Sequence, residues 1–174
     1  MTTMRSHLRK LVRGTSGQEI IEAAVVIPLL FTILFGVYWF GRAFNIYGTI
    51  NHAAREGARV AISNCATCGN TPATNAQIAA AVTQALQASH LDPAKATAYT
   101  PAPAPTPVSG CANAVTVGAG SVSICQPVQL NAGSTDPPVF GVTVSFKYPY
   151  QFWFPFTSLN SVSLKASVQA NGEE

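Results

Sequence analysis

Residues 16–22 read Ser-Gly-Gln-Glu-Ile-Ile-Glu and lead directly into nineteen uncharged residues, from Ala23 to Gly41. As an α-helix, a run of this length rises about 28 Å, which is close to the ~30 Å hydrocarbon thickness of a bilayer. Ile, Leu, Val and Phe dominate the run, and Tyr38 and Trp39 stand near its end, where interfacial aromatic side chains are enriched. The stretch predicts a membrane-spanning helix, and Pro28 does not exclude one.

The charge in front of the run predicts its orientation. Four basic residues and no acid precede Ser16, so we expect the N-terminus in the cytoplasm and the remainder outside. These residues are Arg5, Arg9, Lys10 and Arg13. A core helix of a soluble protein is an alternative, but nothing later in the chain is apolar enough to cover the run on all sides. An ordinary signal peptide is disfavoured because no small-residue cleavage site follows Gly41.

Glu22 places a carboxylate at the border of this apolar run. Ionisable side chains at such positions are costly and are usually functional. If the chain is cut after Gly17, Gln18 becomes the first residue and Glu22 lies one helical turn away. The carboxylate is then able to pair with the new α-amino group of its own chain or of a neighbour. Glu19 fits the simpler role of an acid at the positive end of the helix dipole.

The basic character of the chain resides in the residues that such a cut removes. The whole chain has ten Lys and Arg against seven Asp and Glu, a net charge of +3. Without residues 1–17 it keeps six basic and seven acidic residues, a net charge of −1. We therefore expect no nucleic-acid partner, since nucleic-acid binding needs a basic face on the folded part.

Gly17 followed by Glu22 resembles the Gly-x-x-x-x-Glu site of type IV prepilins and pseudopilins. Residues 17–30, the pair at 35–36 and the stretch AAREGAR at 53–59 together resemble the TadE-like family, minor pseudopilins of the tight-adherence (Flp) pilus system. The resemblance implies cleavage between Gly17 and Gln18 by a prepilin peptidase of the inner membrane, with Glu22 acting in processing or assembly. It also implies other pilins or pseudopilins, and the inner-membrane pilus assembly platform, as partners.

The helical pattern continues beyond Gly41. Its apolar positions follow steps of three and four, and they become small toward the end, which allows close helix contact. They are Phe40, Phe44, Tyr47, Ala54, Ala58 and Ala61. This face either packs on the chain's own sheet or meets neighbouring subunits. Arg55, Glu56 and Arg59 form a charged group on another face, either a solvated surface or a device that sets subunit register, and His52 is predicted to be a surface histidine.

The remainder predicts one small extracytoplasmic domain. A second helix is expected over 74–89, with Thr74 or Asn75 as N-cap. The alternating prolines of 101–107 favour an extended loop or linker. Strands are expected at 114–117 and 121–124, joined as a hairpin, and at 139–148 and 161–170. The aromatic stretch 148–156 is expected mainly in the core, although its prolines suit a loop or a sheet edge.

Four cysteines follow the apolar run: Cys65, Cys68, Cys111 and Cys125. An even number outside the cytoplasm favours two disulfides, and four cysteines allow three connectivities. Cys111 and Cys125 bracket the predicted hairpin and are placed to pair across its base, leaving the other two to pair locally or to reach the sheet. A redox CxxC centre lacks a surrounding βαβ pattern, and a zinc site lacks a closely spaced second pair.

These patterns predict an α+β protein, a long N-terminal transmembrane and amphipathic helix packed on a small antiparallel sheet. Its expected parts are a leader (1–17), a single membrane span (18–41), a helical continuation (42–64) and a domain (65–174). The leading hypothesis is a minor pseudopilin of the bacterial inner membrane that is processed after Gly17. The alternative is an uncleaved anchor that carries a ligand-binding domain. No catalytic arrangement or phosphate loop stands out, so we expect no enzyme, no cofactor and no metal.

Overall fold

The computed structural model describes residues 16–63, 73–101, 106–107, 111–131, 134–137, 139–151 and 161–171. The chain divides into two compact units, residues 1–42 and 43–174. Three sets of predictions lie outside the described residues: the basic leader, the pair Cys65 and Cys68, and residues 152–156 of the aromatic stretch.

The first helix, α1, runs from Ser16 to Ser63 over 48 residues and contains both the apolar run and the predicted continuation. Pro28 lies inside it and lacks a backbone donor. One turn later, Thr32 Oγ1 donates a hydrogen bond to the Pro28 carbonyl at 2.8 Å. Thr49 Oγ1 donates in the same way to the Asn45 carbonyl at 3.0 Å. Such bonds let polar residues sit within a helix without competing for its own N–H groups.

The second helix, α2, runs from Asn75 to Ala88 and is closed at both ends by local hydrogen bonds. The Gln77 N–H donates to Thr74 Oγ1 at 3.3 Å, and the Thr74 N–H donates to Gln77 Oε1 at 2.9 Å. This capping box confirms Thr74 as the N-cap. At the other end, His90 adopts a φ of 58° and the Leu91 N–H donates to the Leu86 carbonyl at 2.9 Å, as in a Schellman motif.

Six strands of the described chain form one antiparallel sheet. They are β1 (Thr97–Ala98), β2 (Thr106–Pro107), β3 (Ala112–Val117), β4 (Gly120–Gln129), β5 (Phe140–Gln151) and β6 (Ser161–Asn171). Strand β5 pairs with β6 along one side and with β4 and β1 along the other. Strand β4 pairs on its far side with β3 and β2. The two helices and this sheet confirm the α+β class.

The predicted hairpin is confirmed as β3 and β4, joined by a turn at Gly118 and Ala119. Gly118 has a φ of 62°, which glycine adopts without steric cost. Gly120 follows, and a Cβ there would collide with the carbonyl oxygens of Pro93 and Ala96. The prediction ended β4 at residue 124, whereas the strand continues to Gln129 across a register shift between Cys125 and Val128. That shift breaks the alternation on which the prediction depended.

The proline-containing segments need one correction. The range 101–107 was expected to be a loop or linker, yet Thr106 and Pro107 form the short strand β2 on the edge of β4. An edge strand tolerates proline because the missing N–H faces away from its partner. In β5, Pro149 lies beyond Lys147, the last residue paired with β1, so the strand has β6 as its one neighbour there. Tyr148 and Tyr150 are buried, as expected for the core.

One face of the sheet carries the core of the unit formed by residues 43–174. Strand side chains of this core are Val117, Val122, Ile124, Val142, Val144 and Phe146, and helix side chains are Ile50, Ala53, Ala54, Ala58, Ile78, Val82 and Leu86. Close approach of α1 is seen at Gly57, where a Cβ would lie 2.6 Å from Val82 Cγ2 and 3.6 Å from Val144 Cγ1. The small residues of α1 therefore pack on the chain's own α2 and sheet.

Candidate functional site at the start of the long helix

Gly17, Gln18, Glu19 and Glu22 all lie in the first two turns of α1 and are exposed. The peptide bond between Gly17 and Gln18 lies at the start of the described part of α1. Nothing lies within 4 Å of a Cβ built at Gly17. Glu22 follows Gln18 by four residues, hence by one turn, and forms no ion pair with another described residue.

The side chains that follow this site are large, apolar and exposed. They include Val25, Leu29, Leu30, Phe31, Ile33, Leu34 and Phe35. Near the end of the run, the rings of Tyr38 and Trp39 pack edge to face, with their centroids 5.4 Å apart. By length and composition, this helix is able to cross a membrane. An apolar surface of this extent requires lipid or other protein around it.

The charged group predicted on α1 is brought together only in part. His52 Nε2 lies 3.8 Å from Glu56 Oε1, and the His52 side chain is 68% exposed, as predicted for a surface histidine. Arg55 and Arg59 are exposed, and no ion pair joins either one to Glu56 within the described chain. An exposed pair such as His52–Glu56 contributes little to the free energy of folding. Because Arg55 and Arg59 are exposed, this charged face of α1 is accessible to other molecules.

Cys111 and Cys125 form a disulfide with a Cα–Cα distance of 4.2 Å, which confirms the pairing predicted across the hairpin. Ala112 lies opposite Ile124, and this register brings the two cysteines side by side. The disulfide links the start of β3 to β4, and the two cysteines are 14 positions apart in the sequence. Disulfides persist in oxidising compartments.

His90 and Asp92 are close in sequence and have structural roles. His90 ends α2, and Asp92 Oδ1 accepts a hydrogen bond from the Ala94 N–H at 3.0 Å. The Asp92 N–H donates to the Tyr148 hydroxyl at 3.2 Å. Burial of this hydroxyl raises the pKa of Tyr148. Among the described residues, no group of three or more His, Cys, Asp or Glu side chains is placed to hold a metal ion.

Sequence analysis missed two positions that shape the unit of residues 43–174. Gly57 is a point of close contact between α1 and α2, and its signal was present in the small-residue run around it. Gln126 Nε2 donates to the Ala73 carbonyl at 3.0 Å and to Asn75 Oδ1 at 2.8 Å, and so fastens the start of α2 to β4. No periodicity marks this glutamine, because its partners lie about fifty residues away.

Residues 17–59 match the family model described as TadE-like protein. The matched segment begins at Gly17, contains Glu22 and the whole apolar run, and ends at Arg59. It confirms the resemblance over α1. No curated protein matches the chain, and no solved structure matches it.

Proposed function

We propose that this chain is a minor pseudopilin that takes part in assembly of a Flp or tight-adherence pilus, or of a related secretion filament. The observation that carries the proposal is the TadE-like match over residues 17–59, on a helix whose apolar run is exposed except at Gly36 and Trp39, which are partly buried. A filament subunit needs such a helix, because it passes from lipid to contacts with other subunits and keeps its apolar surface covered in both places.

Processing after Gly17 by a prepilin peptidase fits the position of this residue in α1. A peptidase must extend the backbone at the peptide bond that it cuts, and a glycine beside that bond adopts many backbone conformations at little cost. Gly17 has no side chain and no close neighbour, so the enzyme has access to the bond. The cut leaves Gln18 as the new N-terminus.

Glu22 is assigned to assembly. A carboxylate beside a membrane-length apolar run is costly unless a cation compensates it. The α-amino group created at Gln18 is such a cation, on the same chain or on the neighbouring subunit. A pair between subunits would fix the axial position of one α1 against the next. Arg55, Glu56 and Arg59 provide a second exposed surface on α1 for contacts between subunits.

The proposed location is the bacterial inner membrane, with the N-terminus in the cytoplasm and residues 43–174 outside. The basic residues ahead of the run support this orientation. The Cys111–Cys125 disulfide supports an extracytoplasmic position for the unit that contains it. The prepilin peptidase, other pilins and the assembly platform are the proposed partners, alongside the bilayer.

The proposal is tested by separating processing from assembly. Gly17→Val is expected to block shortening of the chain on a gel, whereas Gly36→Val, at another open position of α1, leaves processing unchanged. Glu22→Gln keeps the shape of the side chain and removes its charge, so we expect membrane insertion to be normal and piliation to be lost.

Two results would contradict this function. Normal piliation in cells whose only copy carries Glu22→Gln would remove the role of the carboxylate. Equal gel mobility of wild type and Gly17→Val, with residues 1–17 present in both, would favour an uncleaved membrane anchor that carries a ligand-binding domain.

A further inference from the structure

Strand β6 is paired with β5 along its whole length, from the pair Asn171–Gly141 to the pair Ser161–Gln151, without a register shift. Among the described strands, β5 is its one partner. Within the described part of the chain, the second edge of β6 therefore presents its outward-facing backbone N–H and C=O groups along a strand of eleven residues. A long, regular edge of this kind is a template for pairing with another strand.

The opposite edge of the sheet is built to prevent such pairing. It is divided between β2 and β3, which have two and six residues. Pro107 lacks an N–H, the register shifts between Ala112 and Val115, and the Cys111–Cys125 disulfide lies beside this edge. Short strands, proline and bulges are recognised protections of an edge. Strand β6 has none of these features within Ser161–Asn171.

A charged side chain is another common protection, and β6 has one, Lys165. Its Nζ lies 4.9 Å from the centroid of the Tyr99 ring. Tyr99 follows β1, which pairs with β5 on the side away from β6, and the Ser145 hydroxyl of β5 donates to the Tyr99 carbonyl at 2.6 Å. Lys165 therefore leans across β5, held by a cation–π contact, and leaves the second edge of β6 unshielded.

The apolar row of the sheet is incomplete at β6. Val144 of β5 is buried, whereas Val168, directly opposite it on β6, is partly exposed. Tyr150 of β5 is also buried, whereas the opposite residue, Val162, is 47% exposed. Leu164 and Ala170 are likewise more exposed than the β5 residues opposite them. A further strand beyond β6 would cover these side chains.

We propose that β6 pairs antiparallel with β6 of a second copy of this chain, which extends the sheet across two subunits. A two-fold antiparallel arrangement that pairs all eleven residues has one register, in which Ala166 faces Ala166. In that register Lys165 lies opposite Ser167 of the second copy, so no two charges of the same sign face each other. Leu164 lies opposite Val168 and Val162 opposite Ala170, which continues the apolar row. The strand is thus complementary to itself.

This contact goes beyond the proposed function, because it requires neither a cut after Gly17 nor a role for Glu22. It is tested with the full-length chain in its membrane. Chains with Ser163→Cys and chains with Gln169→Cys, carrying different tags, are produced together and oxidised. Since the register places position 163 opposite position 169, we expect a mixed cross-linked dimer.

The matched control uses two differently tagged chains that both carry Ser163→Cys. In the proposed register these positions are six residues apart along the strand, or about 20 Å, so no cross-link is expected. Equal cross-linking in both experiments, or none in the mixed one, would overturn the register. Cross-linking of the mixed chains to another protein, without the dimer, would show that a different strand occupies the edge and would overturn the proposal.

A charge exchange gives a second readout that does not depend on oxidation. Ser167 is exposed, so its side chain lies outside the core of its own subunit. In the dimer, Ser167→Lys places the new lysine of each copy opposite Lys165 of the other copy. We therefore expect association in detergent micelles to weaken about tenfold. Ser167→Glu places an acid opposite Lys165 and is expected to tighten it. A change of the same direction and size in both variants would contradict the contact.

Discussion

Residues 16–42 and residues 43–63 belong to one helix, α1, yet they differ in how far their apolar side chains are buried. In the first stretch most of these side chains are large and exposed, as at Leu30 and Ile33. In the second, one face is buried and is formed by Ile50 and the alanines at 53, 54 and 58, whereas Phe44 remains exposed. Large side chains suit a surface that meets lipid, and small ones let the backbone approach a neighbouring element closely. The two stretches therefore differ in whether one face is buried, and small residues mark the part of that face from Ala53 to Ala58.

The largest effect on this comparison is expected from Phe146→Ala. The Phe146 side chain is fully buried in the core that also contains Ile50 and Ala54 of the second stretch, so its removal leaves a cavity and costs about 3–5 kcal/mol of unfolding free energy. The matched control, Phe44→Ala, removes a ring that is 72% exposed and should stay within about 0.5 kcal/mol of wild type. Urea unfolding of the full chain in detergent measures both, and equal losses would break the comparison.

An arginine in the first stretch should act on membrane insertion. Ile33→Arg places a charge in the apolar run at a cost of about 2.5–3.5 kcal/mol of insertion free energy, and residues 43–174 should unfold as in wild type. Asn45→Arg, outside the run, is the control. Carbonate extraction of membranes gives the inserted fraction. If Ile33→Arg inserts as well as Asn45→Arg, the run does not span the bilayer.

Two glycines of α1 allow the second stretch to be tested by one methyl group. Gly57→Ala adds a Cβ that would lie 2.6 Å from Val82 Cγ2, and we expect a loss of about 1–3 kcal/mol. Gly48→Ala adds the same atom into open space and should be neutral, or stabilising by up to about 1 kcal/mol. Thermal unfolding of the two variants in detergent separates the cases. A stable Gly57→Ala protein would mean that α1 is not packed closely on α2.

The smallest effect concerns Tyr148, which joins the buried face of the sheet to the turn at Asp92. Because burial raises the pKa of Tyr148, the folded state favours the neutral phenol. This contribution to stability is complete below the unfolded pKa of about 10 and is lost as pH rises through the higher folded pKa. Tyr148→Phe should therefore reduce the loss of stability at alkaline pH, while Tyr47→Phe, on an exposed side chain, serves as control. Unchanged alkaline unfolding in Tyr148→Phe would contradict this assignment.

Much of the fold followed from local patterns. The uncharged run predicted the start of α1, Thr74 was one of two residues predicted as the N-cap of α2, and alternation predicted β5 and β6. Other features depend on contacts distant in sequence and have no local signal. The two-residue strands β1 and β2 exist because β5 and β4 offer them an edge. Periodicity could not determine whether the small face of α1 meets its own sheet or another subunit, since the same residues suit both.

The candidate site shows the same division. The spacing of Gly17 and Glu22 was legible in the sequence, and the structure adds that both lie exposed at the start of α1. Bracketing of the hairpin by Cys111 and Cys125 made their disulfide one of several predicted pairings, and the register of β3 and β4 accounts for it. The regular second edge of β6 was not predictable, because alternation identifies a strand without showing how many neighbours it has.

The central claim is that the first stretch of α1 begins at a processing site. It is tested most directly by the intact mass of the protein purified from membranes of cells with and without a prepilin peptidase. We predict a chain that begins at Gln18 when the peptidase is present and a chain that keeps residues 1–17 when it is absent. The same mass in both strains, with residues 1–17 retained, would contradict the account.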